Sequence, residues 1–377
     1  MHRPPFASLL LIGLTLPIGV AQAQTADSQR TTIGGYGEVH YTNRSGTGTP
    51  GAVNLKRFVL FVGHQFSDRI TLHSELEVED AKIEGGGAGG EVSLEQAYLE
   101  YRLSDAFAFN AGLMLAPVGI INELHEPPTF NGVARPDFHH DVIPTTWREI
   151  GVGATGRFAS LGGVSWRLLV LNGIKASGFS GAEGIREGRQ EGRNASFANP
   201  SLTSRLEYGR PGLKLGASFW FGGTANQDSL LGTGTFAAPV SVVAADARYD
   251  TGPFQFRGEV ARVSVSDADK INAAFGTDVG RRIDGGYVEG GANLLAWLAP
   301  ASHQRLVAFA RHERYDTHAA VPAGTARVAA YARRITTIGL TYKPLWNVAF
   351  KGDYQLLRNR AHAGEGEIVS FGVGYQF

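Results

Sequence analysis

The chain has 377 residues, of which 50 are glycine; cysteine is absent, and 35 Lys+Arg balance 35 Asp+Glu. Without cysteine there is no disulfide scaffold, thiolate metal site or cysteine nucleophile. A net charge of zero gives no overall pull toward nucleic acid or an anionic membrane surface.

Residues 1–23 read as a cleaved secretory signal: a basic start at Arg3, an apolar stretch from Phe6 to Val20, then Ala21-Gln22-Ala23 before Gln24. That stretch contains Pro17 and is shorter than the ~20 residues of a spanning helix. Residues 24–377 then read as a single domain.

From Thr31 onward the dominant pattern is alternation with period two, the mark of strands with a different environment on each face. In Glu367–Phe377, one face carries Val369, Phe371, Val373, Tyr375 and Phe377; the other carries Ser370, Gly372, Gly374 and Gln376. Sixteen such segments are predicted, at roughly 31–41, 54–66, 69–80, 91–103, 106–115, 149–158, 163–171, 200–209, 212–222, 239–249, 253–264, 282–296, 303–316, 328–343, 346–358 and 367–377. The twelfth and fourteenth are blurred by glycine and charged ends. Connections alternate between short turns, such as Ser67-Asp68 and Arg210-Pro211, and longer loops, such as 116–148 and 172–199.

An even number of strands with alternating short and long connections is the pattern of an outer-membrane β-barrel. Aromatic residues near strand ends, among them Phe58, Tyr101, Trp166 and Tyr342, suit interfacial girdles. Sixteen strands enclose an aqueous channel, whereas eight are filled by side chains. The expected fold is therefore an all-β transmembrane antiparallel barrel whose third long loop folds inward. A secreted or periplasmic all-β protein is the competing reading.

Loop 116–148 is longer than structureless loops usually are. It is punctuated by Pro117, Pro127, Pro128, Pro136 and Pro144, which suits a loop that must hold a shape inside water. It carries Glu123, Glu126, Asp137 and Asp141 against Arg135 and Arg148, with His125, His139 and His140. Parity assigns wall residues to the lumen: Arg57 on the second strand, because Phe58, Leu60 and Val62 form the apolar face; His73, Glu75, Glu77 and Glu79 on the third; Tyr98, Glu100 and Arg102 on the fourth. Arg157, Arg167, Arg205, Glu207, Lys214, Arg248, Arg257, Glu259, Lys351 and Asp353 follow on later strands, while the parity of Glu289, Arg311, Glu313 and Arg333 is open. Charges of both signs are costly on a lipid face and cheap in a wet lumen. They would set a field across the constriction, or pair with one another and stiffen the wall.

Other constellations are weaker. Adjacent His139-His140-Asp141 rarely converge on one metal ion without a further ligand. Gly85–Gly90 lacks the Lys-Ser/Thr of a phosphate loop and reads as a flexible turn. No G-x-S-x-G element is present. No catalytic residue, metal or cofactor is expected.

The blocks NLKRFVLFVGHQFSDRI at Asn54–Ile70, ELEVEDA at Glu75–Ala81, EQAYLEY at Glu95–Tyr101, and HEPPTFNGVARPDF with IPTTWREIGVG within His125–Gly153 resemble the phosphate-selective porin O and P family. The resemblance implies a passive, homotrimeric porin whose third loop enters the lumen. In phosphate-selective members an arginine ladder and loop lysines set anion preference; Arg57 sits in the matching block, whereas loop 116–148 has no Lys. Phe377, two residues after Tyr375 on the same face, resembles the terminal signature read by the barrel assembly machinery. The expected function is passive diffusion of small hydrophilic solutes or inorganic ions across outer-membrane lipid, with no nucleic-acid partner. A phosphate or oxyanion channel is the alternative within the class, and an outer-membrane hydrolase or surface binding barrel the alternative from another.

Overall fold

The computed structural model describes residues 30–46, 48–80, 90–158, 162–224 and 237–377. The signal-peptide expectation and most of the Gly85–Gly90 run lie outside the described residues. Sixteen strands form: β1 (Arg30–Arg44), β2 (Ala52–Gln65), β3 (Ile70–Glu79), β4 (Glu91–Ser104), β5 (Phe107–Leu115), β6 (Arg148–Phe158), β7 (Val164–Leu171), β8 (Ser201–Arg210), β9 (Leu213–Gly222), β10 (Val240–Thr251), β11 (Phe254–Val265), β12 (Arg282–Asn293), β13 (Arg305–Ala320), β14 (Ala332–Leu345), β15 (Val348–Asn359) and β16 (Gly366–Gln376). Each pairs antiparallel with its sequence neighbours, and β1 pairs with β16, so the sheet is one closed barrel. Closure leaves no sheet edge, the condition under which strands can cross lipid.

The blurred segments resolve for local reasons. β12 ends at Asn293 because Leu295–Leu298 turns helical; β14 begins at Ala332 because Ala329–Tyr331 forms a 3-10 turn. Arg148 opens β6 rather than closing the preceding loop, and the connection after β11 holds a helix at Ala268–Phe275. Among the described residues no helix is long and apolar enough to cross a membrane.

The outer face carries an apolar band around the wall, with Ile33, Leu99, Val152, Leu206, Val260, Val288, Ile338 and Phe371 all exposed; toward the long loops Arg262, His312, Arg314 and Arg334 are exposed on β11, β13 and β14. Water-soluble surfaces do not carry an apolar band of this extent. At the short-turn end, Phe107, Phe158 and Trp166 cluster, as do Phe254, Phe256 and Trp297, giving the aromatic rim expected at a lipid interface.

Among the described residues five pairings carry a register shift, and two of these re-aim charged side chains on the inner face. Glu38 pairs with Arg57 but Val39 with Leu55, leaving Lys56 unpaired; Glu75 pairs with Gln96 but Leu76 with Leu94, leaving Glu95 unpaired. An extra residue re-aims side chains, so the lumen gains a charged group at each bulge.

The seam between β1 and β16 is held by Gly35 N–H donating to Phe377 O at 2.9 Å and Phe377 N–H donating to Gly35 O at 2.8 Å. A Cβ on Gly35 would lie 2.2 Å from the Val59 carbonyl oxygen. We expect Gly35→Val to destabilise the closed barrel by about 1–3 kcal/mol, the usual cost of overpacking. Loss of heat-modifiable mobility on unheated gels measures it, and a wild-type band pattern would contradict it.

Candidate functional site

Residues 116–147 leave β5, cross the barrel interior and return to β6. The neck is closed by Ala116 N–H donating to Trp147 O at 2.8 Å, and by Asn122, whose Oδ1 accepts from Trp147 N–H at 2.8 Å. From there the loop reaches the opposite wall, where strand carboxylates accept its polar hydrogens. Ile120 N–H donates to Glu259 on β11 at 3.2 Å, and Asn131 Nδ2 to Glu289 on β12 at 3.0 Å. Phe138 N–H donates to Glu313 on β13 at 3.0 Å, and Val133 N–H to Asp353 on β15 at 2.6 Å. Buried backbone groups must find such partners, and a carboxylate acceptor makes the bond stronger than a neutral one would. His139 Nε2 also lies 3.1 Å from Glu259.

A second loop, 172–200, packs over the first. Arg189 donates to Thr146 O at 3.1 Å and Arg186 to Thr145 O, while Glu149 accepts from Gln190 N–H at 3.0 Å and from Asn172. Gly181 N–H donates to Asp278, linking this loop to the connection after the Ala268–Phe275 helix. Between the loops and the wall lies an apolar core, with Phe138, Val142, Ile143, Trp147, Ile174 and Phe179 against Trp220, Val240, Val263, Ile283 and Tyr315. Trp147 and Trp220 sit 5.1 Å apart. The expectation of a polar inner face is thus corrected over this part of the wall: the inward positions are apolar because folded loop, rather than water, covers them.

What remains open is divided by the loops. Toward the short turns lies a cavity of about 870 Å³, lined by Glu100, Arg102, Glu123, Arg157 and Arg167 among others. Within it Arg102 pairs with Glu100 at 2.8 Å and Arg167 with Glu123 at 3.0 Å. Toward the long loops lies a cavity of about 580 Å³, lined by Arg57, Arg135, Asp137 and Asp141 together with Glu38, Lys56, His140 and Arg333. Glu77 and Arg148 line an adjoining space of about 250 Å³, and Glu75 one of about 220 Å³. Glu126 is half-buried on the loop, and Arg205 is buried in the wall; neither lines these cavities.

Four interior arginines are held by acids. Arg57 lies 2.7 Å from Glu38, 3.0 Å from Glu77 and 3.4 Å from Glu79. Arg205 donates to both Asp246 oxygens, at 2.6 and 3.0 Å. Arg311 sits between Glu289 and Glu313, and Arg333 pairs with Asp141. These four parity questions therefore resolve inward, Glu289, Arg311 and Glu313 being buried and Arg333 lining the cavity.

Sequence reasoning missed Lys56 and Glu95 because each sits at a bulge, where alternation no longer reports the face. It also missed Glu38 and Glu149, although both stand on predicted strands, at 31–41 and 149–158. Glu95 meets His125 of the loop at 3.1 Å, and Glu75 meets the same Nε2 at 3.4 Å. Burial alone would drive the His125 ring to lose its proton, but the Glu95 and Glu75 carboxylates outweigh it and hold its pKa up at about 10.

No protein-family model matches the chain. A protein of Aquifex aeolicus (strain VF5), described as uncharacterized, is 35% identical over 335 residues, covering 86% of this chain and 74% of that protein. Among solved structures, Salmonella typhi OmpF in complex with daunomycin is similar at TM-score 0.60 and 14% identity, covering 93% of this chain and 98% of its own. The outer membrane channel DcaP of Acinetobacter baumannii is similar at TM-score 0.59 and 13% identity, covering 95% and 100%. The anion-selective porin from Comamonas acidovorans is similar at TM-score 0.56 and 13% identity, covering 93% and 100%. At these identities the structural likeness establishes the fold.

The Arg205–Asp246 pair, with both side chains buried, yields a stability test. Arg205→Met leaves Asp246 without its cation and should cost about 3–5 kcal/mol, whereas Arg205→Met/Asp246→Leu should recover most of that loss. Urea unfolding followed by tryptophan fluorescence measures both; equal stability of the single and double variants would contradict the pairing.

Proposed function

Since this chain belongs to one family with the Aquifex aeolicus protein and has a sixteen-stranded closed barrel, we propose that it is an outer-membrane porin. In this reading it passes small hydrophilic solutes or inorganic ions without catalysis. The observation that carries it is the pair of charged cavities on opposite sides of an inward loop, inside a barrel whose outer face carries an apolar band. The long-loop end faces the exterior and the short-turn end the periplasm. A homotrimer, delivery by a signal removed near Ala23-Gln24, and insertion through the C-terminal strand belong to the same reading. Phe377 stands exposed on the outer face, stacked on Phe58 and Tyr375.

Filtering in such a barrel is steric at the loop and electrostatic along the walls. A solute entering the long-loop cavity meets Lys56, Arg57, Arg135 and Arg333 interleaved with Glu38, Glu79, Asp137 and Asp141. A polar solute can exchange hydration for these groups, whereas a large apolar one finds no compensating surface there. The guanidiniums of Arg57, Arg205 and Arg311 already stand paired with carboxylates. A phosphate would have to displace those acids, so general hydrophilic permeation is favoured over a phosphate-selective ladder.

Stepwise conductance should follow addition of the purified, folded protein to a planar bilayer; a bilayer that stays silent at every voltage would defeat the porin reading. Arg57→Ala strips the cation from among Glu38, Glu77 and Glu79. In a KCl gradient the reversal potential should move toward cation preference, and an unchanged potential would remove Arg57 from the filter.

A further inference from the structure

One buried cluster inside the barrel is built unlike the other ion pairs. Glu75 on β3, Glu95 at the bulge of β4 and His125 on the inward loop bring one oxygen, one oxygen and one nitrogen to within 4.8 Å of one another, all buried. His125 Nδ1 lies 3.2 Å from the Asn122 carbonyl, to which it donates, and this directs Nε2 at the two acids. Glu75 Oε1, the oxygen facing that nitrogen, has no hydrogen-bond partner, nor has the fully buried hydroxyl of Tyr36, whose ring stands edge-on to His125 at 5.9 Å. The other Glu75 oxygen is fixed by Gln96 Nε2 at 2.8 Å.

Two ligands held about 2.0–2.2 Å from one ion, at angles between square and tetrahedral, stand about 2.9–3.5 Å apart. The separations from His125 Nε2, 3.1 Å to Glu95 and 3.4 Å to Glu75, fall in that interval. We propose that Glu75, Glu95 and His125 form a binding site for one divalent transition-metal ion of the zinc class, which pins the inward loop to the β3–β4 wall. An imidazole with only two carboxylates suits such an ion better than calcium or magnesium, which take predominantly oxygen shells. The charges match when the metal displaces the proton that the His125 ring otherwise holds between the acids: the ring becomes a neutral ligand and the divalent cation neutralises the two buried carboxylates in its place. The outer shell matches as well: the imidazole donates its second nitrogen's hydrogen to a carbonyl, and one carboxylate is oriented by an amide, as ligands of metal ions commonly are. Three protein ligands leave a coordination position open.

The site is independent of the permeation reading, and its test involves no conductance. The folded full chain in detergent, stripped with a chelator, is titrated with Zn²⁺ by calorimetry and with Co²⁺ by visible absorption. Wild type should bind one Zn²⁺ per chain, and Co²⁺ should show the ligand-field bands of a low-coordinate nitrogen and oxygen site. His125→Ala and Glu95→Gln should each weaken Zn²⁺ binding at least tenfold, while His303→Ala, at an exposed turn, should bind as wild type. Glu95→Gln keeps the side-chain volume, so the test stands even if His125→Ala fails to fold. Absence of stoichiometric binding by wild type, or wild-type affinity in folded Glu95→Gln, overturns the proposal.

Discussion

Residues 116–147 run through the inside of a closed barrel, and every buried peptide group along that path has to be satisfied by something other than a neighbouring strand. The wall answers with carboxylates. Glu259, Glu289, Glu313 and Asp353, on β11, β12, β13 and β15, each accept a hydrogen from the loop. Strand alternation repeats these acids on the inner face at one depth after another, so the loop is held along its length. The loops in turn bury an apolar core against the wall, and that core excludes water from one part of the interior. The open space is what remains after these demands are met.

The same arrangement explains how a chain of zero net charge carries a highly charged interior. The acids that dock the loop also flank arginines: Glu289 and Glu313 hold Arg311, while Glu38 and Glu77 hold Arg57. Opposite charges are matched across a few ångströms instead of being segregated on facing walls. The field is therefore strong locally and falls off quickly away from each pair.

The fold was legible because period two survives on the outer face: lipid-facing positions must be apolar on every strand, so sixteen segments stand out even where glycine interrupts them. The inner face was legible where its positions carry charge, whether they face a cavity, as at Arg57, or are buried in the wall, as at Arg205. Glu77, Glu100 and Arg167, placed by parity, each face a cavity as well. Inward Val240, Val242 and Val263 face folded loop instead and read as apolar on both sides. Lys56 and Glu95 escaped for a different reason, since a bulge shifts the phase of alternation by one residue and no side-chain pattern announces it. The docking role of Glu259 and Asp353 was equally hidden, because a carboxylate that accepts from a loop amide has the same sequence signature as one that lines a pore.

The bulge on β4 divides that strand into two half-strands whose faces are out of step. At wall positions away from the bulges a charge is gained or lost by replacing one side chain, and the ladder is untouched. At Glu95 the charge is tied to chain length: excising that residue would heal the pairing between β3 and β4 and deprive His125 of a carboxylate partner at the same time. The contact between wall and loop at this point therefore depends on the length of β4 as well as on the side chain it carries there.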